Sequence, residues 1–162
     1  MPDGRVLHAD HDGIQVLRVV GEIRYTMAPT LERFLAALVD VDSTRGFVVD
    51  LTQCTLIDST NLGLLARLAR RVAPQRVTLV SDQEDINIVL DSMGFRTVFD
   101  IVDATGECLE GGTELAPTSV DREQLRATML NAHRTLMELN ENNKEMFRDV
   151  VIALELDEPT LH

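Results

Sequence analysis

Val48-Val49-Asp50-Leu51-Thr52-Gln53-Cys54-Thr55-Leu56-Ile57-Asp58-Ser59-Thr60-Asn61-Leu62-Gly63-Leu64-Leu65-Ala66-Arg67-Leu68 is the stretch that decides how this chain folds. It opens with β-branched apolar residues that need burial on two faces, and it resumes after a polar turn with Leu62, Leu65, Ala69 and Val72 at helical spacing. A buried strand therefore runs into a helix. Ser59 stands where that helix starts, a residue type favoured as N-cap because its hydroxyl oxygen accepts from a backbone N–H one turn in. Asp58 precedes it.

Upstream, Arg5–His8 and Ile14–Val20 alternate apolar and polar residues as strands do, and the turn sequence Asp10-His11-Asp12-Gly13 joins them into a hairpin. His8, Asp10, His11 and Asp12 are crowded into that turn, whose chemistry explains them without a metal. Thr26 is an acceptable N-cap, Pro29 fits a first helical turn, and Leu31, Phe34, Leu35 and Leu38 give a helix of about 14 residues one apolar face.

Downstream, Arg67, Arg70 and Arg71 complement the negative end of the helix that starts near Ser59. Val77–Val80 is a short buried strand. Ser81 as N-cap with Glu84 three residues on starts a helix whose face is Ile86, Val89, Leu90 and Met93, and Gly94 closes it. Thr97–Val102 is the last strand. The order implies a mixed sheet, an antiparallel hairpin followed by parallel strands joined through helices.

Residues 106–118 read as a linker. Beyond it Leu125, Met129, Ala132, Leu136, Leu139, Asn143, Met146 and Val150 follow a heptad. One reading is a single helix of about 35 residues that dimerises or binds a partner, with Asn143 setting register in its seam. The other is a break at Asn140-Glu141-Asn142-Asn143, with Asn142 and Glu145 marking a second helix start and Phe147, Val151 and Leu154 widening the apolar face. The heptad crosses the proposed break, so the long helix is the expectation. The domains expected are 1–105, a linker, and a helical extension over 119–157.

The chain has 162 residues with 27 acidic and 15 basic side chains, a formal net charge of −12, and Lys144 is its one lysine. Such a surface repels phosphate backbones and anionic lipid, which argues against direct nucleic-acid or membrane-surface binding. Cys54 and Cys108 lack a Cys-x-x-Cys spacing, as suits a reducing compartment, and the N-terminus lacks a leader pattern, so the expected location is cytoplasmic. Ser59 has no Gly-x-Ser-x-Gly elbow, and none of His8, His11, His133 and His162 is an obvious base for it. No glycine-rich phosphate loop occurs, so neither catalysis nor a cofactor is expected.

The run Leu56-Ile57-Asp58-Ser59-Thr60-Asn61-Leu62-Gly63 resembles the signature of STAS domains, in particular of bacterial anti-sigma-factor antagonists. There an Asp-Ser pair lies between a strand and a helix, and a partner kinase phosphorylates the serine. Val19-Val20-Gly21-Glu22-Ile23 with Ala28-Pro29-Thr30-Leu31, and Met93-Gly94-Phe95 with Val98-Phe99-Asp100-Ile101, agree with the family in the same order, over about residues 5–105. The resemblance implies a STAS-like mixed β-sheet with packed helices, followed here by a long C-terminal helical extension.

It further implies that the unmodified chain binds an anti-sigma factor that is itself a serine kinase. Phosphorylation of Ser59 would end that binding and a metal-dependent serine phosphatase would restore it. Thr60 is a second candidate acceptor. Asp58 orients the turn, and Asp58, Ser59, Thr60, Asn61 and Gly63, with Thr26, Cys54 and Thr55, form the partner-contact set. A phosphate at a helix N-terminus meets free N–H groups and leaves the fold intact, while its charge lowers partner affinity about a thousandfold. Two other readings are an ordinary N-cap at Ser59 and a non-catalytic STAS scaffold of a signalling or lipid-transport assembly.

Overall fold

The computed structural model describes residues 4–40, 44–103 and 111–156. Arg5–His11 (β1) and Ile14–Ile23 (β2) pair antiparallel, with Arg5 opposite Val20 and His11 opposite Ile14. Asp12 and Gly13 between them both take positive φ, 54° and 89°, the geometry whose twist matches a two-residue hairpin. The Asp10 carboxylate accepts from the Gly13 N–H at 2.8 Å and from Gln15 at 2.9 Å, which holds its pKa below the ordinary carboxylate value. Turn chemistry thus accounts for this cluster. Among the described residues no group of three or more His, Cys, Asp or Glu is gathered as metal ligands.

A 3-10 turn over Tyr25–Met27 leads into Ala28–Leu38 (α1). The expected cap at Thr26 is displaced by this turn: Met27 is the N-cap, without a side-chain bond, and Thr26 is exposed. Gly46–Ile57 (β3) is the central strand, followed by Ser59–Val72 (α2), Val77–Val80 (β4), Glu84–Ser92 (α3) and Phe99–Val102 (β5). Strand order is β5-β4-β3-β2-β1, with the β2–β3, β3–β4 and β4–β5 pairs all parallel. The expected mixed sheet is present. Crossovers that advance in one direction with the usual right-handed sense set α1, α2 and α3 on one face. There their apolar residues join Leu17, Val19, Val49, Leu51, Leu79 and Phe99 in one core.

Ser81 does not cap α3. Its N–H bonds to Val102 O at 3.0 Å, its side chain is buried, and Gln83 is the N-cap residue. Gly94, at φ 75°, ends this unit in the left-handed conformation that a glycine enters without steric cost.

Part of the segment expected as linker is instead laid against the sheet: Thr113–Glu114 (β6) pairs antiparallel with Leu7 and His8 on the free edge of β1. The Leu115 N–H then bonds to Val6 O at 2.9 Å and the Thr118 N–H to Thr30 Oγ1 at 3.0 Å. Residues 106–110 of the expected linker and Cys108 lie outside the described residues.

The tail is not one helix. Arg122–Leu139 (α4) and Glu141–Leu156 (α5) are separated at Asn140, whose backbone is extended and whose Oδ1 accepts from the Asn143 N–H at 2.8 Å. The expectation of a 35-residue helix is therefore wrong, and the hairpin is what forms. Asn143 is fully buried, but its Nδ2 donates to Met93 O and Leu136 O at 2.9 Å each, inside the chain rather than in a seam between copies. Beyond the break Met146 and Val150 turn outward while Phe147 and Val151 turn inward, so the heptad across Asn140 follows no continuous face.

The hairpin forms a third layer over the helices. Thr128 of α4 donates to Glu32 of α1 at 2.8 Å, Ala132 rests on α2, and the turn at Asn140 sits on Met93 O beyond α3. Arg126 closes the hairpin by donating to Leu154 O at 2.7 Å.

Candidate functional site

Strand β3 ends at Ile57 and the chain enters α2 through Asp58, the true N-cap. The backbone of Asp58 is extended, and its Oδ1 accepts from the Asn61 N–H at 3.1 Å. The capping role expected of Ser59 thus falls one residue earlier, and Ser59 is the first residue of the helix. This frees its hydroxyl for another partner.

The turn is tied down from both sides. The Asp58 N–H bonds to Ile23 O at 3.1 Å, and Asn61 Nδ2 donates to Arg24 O and to Asp58 Oδ1 at 2.9 Å each. Fixing the turn to the end of β2 sets the direction of the first α2 turn. Asn61 N–H is taken by the cap, while the N–H groups of Ser59 and Thr60 have no intrahelical acceptor, as at any helix start.

The residues expected to meet a partner divide in two. Thr26 and Thr55 are exposed and Asp58 and Ser59 half-buried, all toward the carboxyl ends of β2 and β3. Thr60, Asn61, Gly63 and Cys54 are buried within the chain. Asn61 holds the turn, and Gly63 lets α4 approach, because a Cβ there would lie 2.8 Å from the Ala132 Cβ. These four do not form an outer surface in the folded chain.

Cys54 is fully enclosed, and burial pushes its thiol up to about 11. A thiol raised above its unfolded value favours folding below pH about 9, and that contribution is lost as pH rises through about 11. In native protein at pH 8, alkylation mapped to the peptide carrying Cys54 is expected to be negligible, and rapid only after unfolding. Fast native labelling would place this thiol elsewhere.

The residue that sequence reasoning missed is His133. From the middle of α4 its Nε2 lies 2.7 Å from Ser59 Oγ, across 74 positions of sequence. Its Nδ1 lies 2.7 Å from Met129 O, which can only accept, so Nδ1 carries a proton, and in that tautomer Nε2 accepts from the serine hydroxyl. The ring is 3% exposed and meets Phe147 edge-on at 5.3 Å. A signal was present: His133 falls between Ala132 and Leu136 on the apolar stripe, where a polar residue needs a partner.

A serine on a histidine invites comparison with nucleophilic catalysis. Here the second ring nitrogen is held by a backbone carbonyl of the same helix, and among the described residues His133 is the hydrogen-bond partner of the serine hydroxyl. A groove of about 550 Å3 between α1, α2 and α4, lined by Leu35, Leu64, Arg67, Arg71 and Thr128 among others, does not include Ser59 or His133. Among the described residues no helix is long and apolar enough to cross a membrane.

Comparison with known proteins agrees with the fold. An anti-sigma factor antagonist from Mycobacterium paratuberculosis matches at 27% identity and TM-score 0.58, over 64% of this chain and 88% of the other. The anti-sigma factor antagonist SpoIIAA in its unphosphorylated form matches at 16% identity and TM-score 0.52, over 62% of this chain and 89% of the other. The Bacillus cell fate determinant SpoIIAA in the phosphorylated form matches at 16% and TM-score 0.52, over 63% and 92%. At such identity the last two show the fold alone. No curated protein matches the chain. A family profile, that of the STAS domain, matches residues 7–108, from within β1 to beyond β5. The chain belongs to the STAS domain family.

Proposed function

We propose that this chain is a non-catalytic, cytoplasmic anti-sigma-factor antagonist that regulates transcription indirectly, through a phosphate placed on Ser59. The supporting observation is the position of that residue: the first of α2, beside the capping Asp58, at the carboxyl end of the central strand. The 27%-identical structure described as an anti-sigma factor antagonist points the same way. In the unmodified state the rim around Thr26, Thr55 and Asp58 takes part in binding an anti-sigma factor that carries serine kinase activity.

In the transfer, Ser59 Oγ forms a bond to the γ-phosphorus of the kinase's ATP. The bond from that phosphorus to the departing ADP oxygen breaks, and the hydroxyl proton passes to a base. The product meets the free N–H groups of the first turn and the positive end of the helix dipole. The added charge beside Asp58 opposes the partner, and a serine phosphatase removes it by hydrolysis. Thr60 is buried beneath the turn, which speaks for Ser59 over Thr60 as the acceptor in the folded chain.

Purification from the native host followed by mass spectrometry tests this. The peptide carrying Ser59 should appear with a phosphate, and Ser59→Ala should abolish labelling while keeping the fold and retaining the anti-sigma factor as bait. Labelling of Ser59→Ala at the native level would refute the assignment. The bond between Ser59 and His133 favours a second reading, a STAS scaffold whose serine is never modified. That reading predicts no phosphate on the peptide under any growth condition.

A further inference from the structure

We propose that the α4–α5 hairpin is a displaceable cap on helix α2, and that a docked hairpin and a phosphate on Ser59 oppose one another. The importance of this for switching rests on Ser59 being the acceptor, but the opposition itself is a property of the packing.

Three observations carry it. The Ser59 hydroxyl is spent on His133 at 2.7 Å, so a phosphoryl group on Oγ would stand where the imidazole nitrogen stands. Helix α4 sits tight on α2, with the backbone of Ala132 packed against Gly63, so a phosphoryl group between Ser59 and His133 can be fitted only by moving α4 outward. And the hairpin is held to the body by side-chain bonds and packing. Thr128 bonds to Glu32, Asn140 and Asn143 bond to Met93 O, and Glu138 pairs with Arg70, with no ladder of backbone hydrogen bonds between hairpin and body among the described residues. It can therefore lift without breaking the sheet.

A phosphoserine at this position has two ways out. If it stays facing α4, the hairpin must move away. If it rotates toward solvent, Nε2 of a buried ring loses its donor, and a buried acceptor left unpaired weakens docking about tenfold or more. Both shift the hairpin toward the lifted state. By reciprocity, the docked hairpin disfavours the phosphorylated form of Ser59 by the same factor at equilibrium, and it excludes other proteins from the part of α2 that it covers. The family match ends at residue 108, so the cap is a device added to the STAS body rather than part of it.

The test uses the full chain with phosphoserine installed at position 59 during translation, so no kinase is needed. Hydrogen exchange of peptides from residues 122–156 is compared with that of the unmodified chain. Exchange in α4 and α5 should accelerate at least about tenfold while β3 and β4 stay protected, and in His133→Ala the phosphate should add much less. Unchanged exchange in the hairpin would overturn the proposal, and so would equal loss of protection in β3 and β4, because the phosphate would then disrupt the whole fold. Absence of phosphate in protein from the native host would instead remove the acceptor reading and leave this packing result standing.

Discussion

Gly63→Ala is expected to lift the hairpin from an otherwise folded STAS body. Gly63 sits inside α2, where alanine is the better helix former by about 1 kcal/mol, so the isolated helix should gain from the change. The new Cβ, however, would lie 2.7 Å from the Ala132 carbonyl carbon and 2.8 Å from its Cβ. These are backbone and Cβ atoms, which cannot swing aside as the tip of a long side chain does. Relief requires the α4 axis to move, and with it Ala132, His133 and Leu136. Overpacking of this kind costs about 1–3 kcal/mol, and the helix preference offsets only part of that. The expected result is rapid trypsin cleavage after Arg134, Lys144 and Arg148, with the β3 and β4 amides still protected. A variant as resistant as the parent would show that the α2–α4 spacing is looser than described.

Two residues further along the same helix, Leu65→Ala should act differently. Leu65 has no exposed surface and belongs to the core shared with the sheet, so truncation removes buried methyl groups and leaves a cavity. Changes of this type cost about 2–5 kcal/mol, a large part of the stability of a domain this size. Denaturant unfolding should show one transition at a lower midpoint with the slope retained, and protection should fall in sheet and hairpin together. A loss confined to α4 and α5 would contradict this. Helix α2 therefore serves two packing partners, and neighbouring substitutions separate them.

The body of the fold was legible because each element carries its own period. Leu31, Leu35 and Leu38 mark α1, the β-branched run before Asp58 marks β3, and Asp12-Gly13 marks the hairpin; all three stand where local chemistry put them. The tail was legible only as a choice between a long helix and a break at Asn140, because its repeat is the sum of two unrelated faces. Positions through Asn143 are set by α4 against α2 and by the hairpin turn, while Met146 and Val150 continue the spacing on the exposed side of α5. Seven-residue periodicity says which residues share a face only while the helix is unbroken. The deciding feature was the extended backbone and cap at Asn140, which a sequence containing three asparagines within four residues places only loosely.

At the site, Asp58 and Ser59 were found by motif, yet their division of labour was not: either residue is a good cap type, and tertiary context chose Asp58. His133 lies outside any local signal that includes Ser59, and only packing of α4 on α2 brings the two together.

The strand Thr113–Glu114 does more than finish an edge. With Leu115 fastened to Val6 and Thr118 to Thr30, the hairpin hangs on a very short leash, since α4 begins at Arg122. A lifted hairpin stays close to its seat, at an effective concentration of about millimolar or above. Were it seated in about 99 of 100 molecules, a rival for the same face would bind about a hundredfold more weakly than to a bare STAS body. Slackening that leash, by loosening two residues of strand, would lower the threshold at which a rival takes over without touching the surface it contacts.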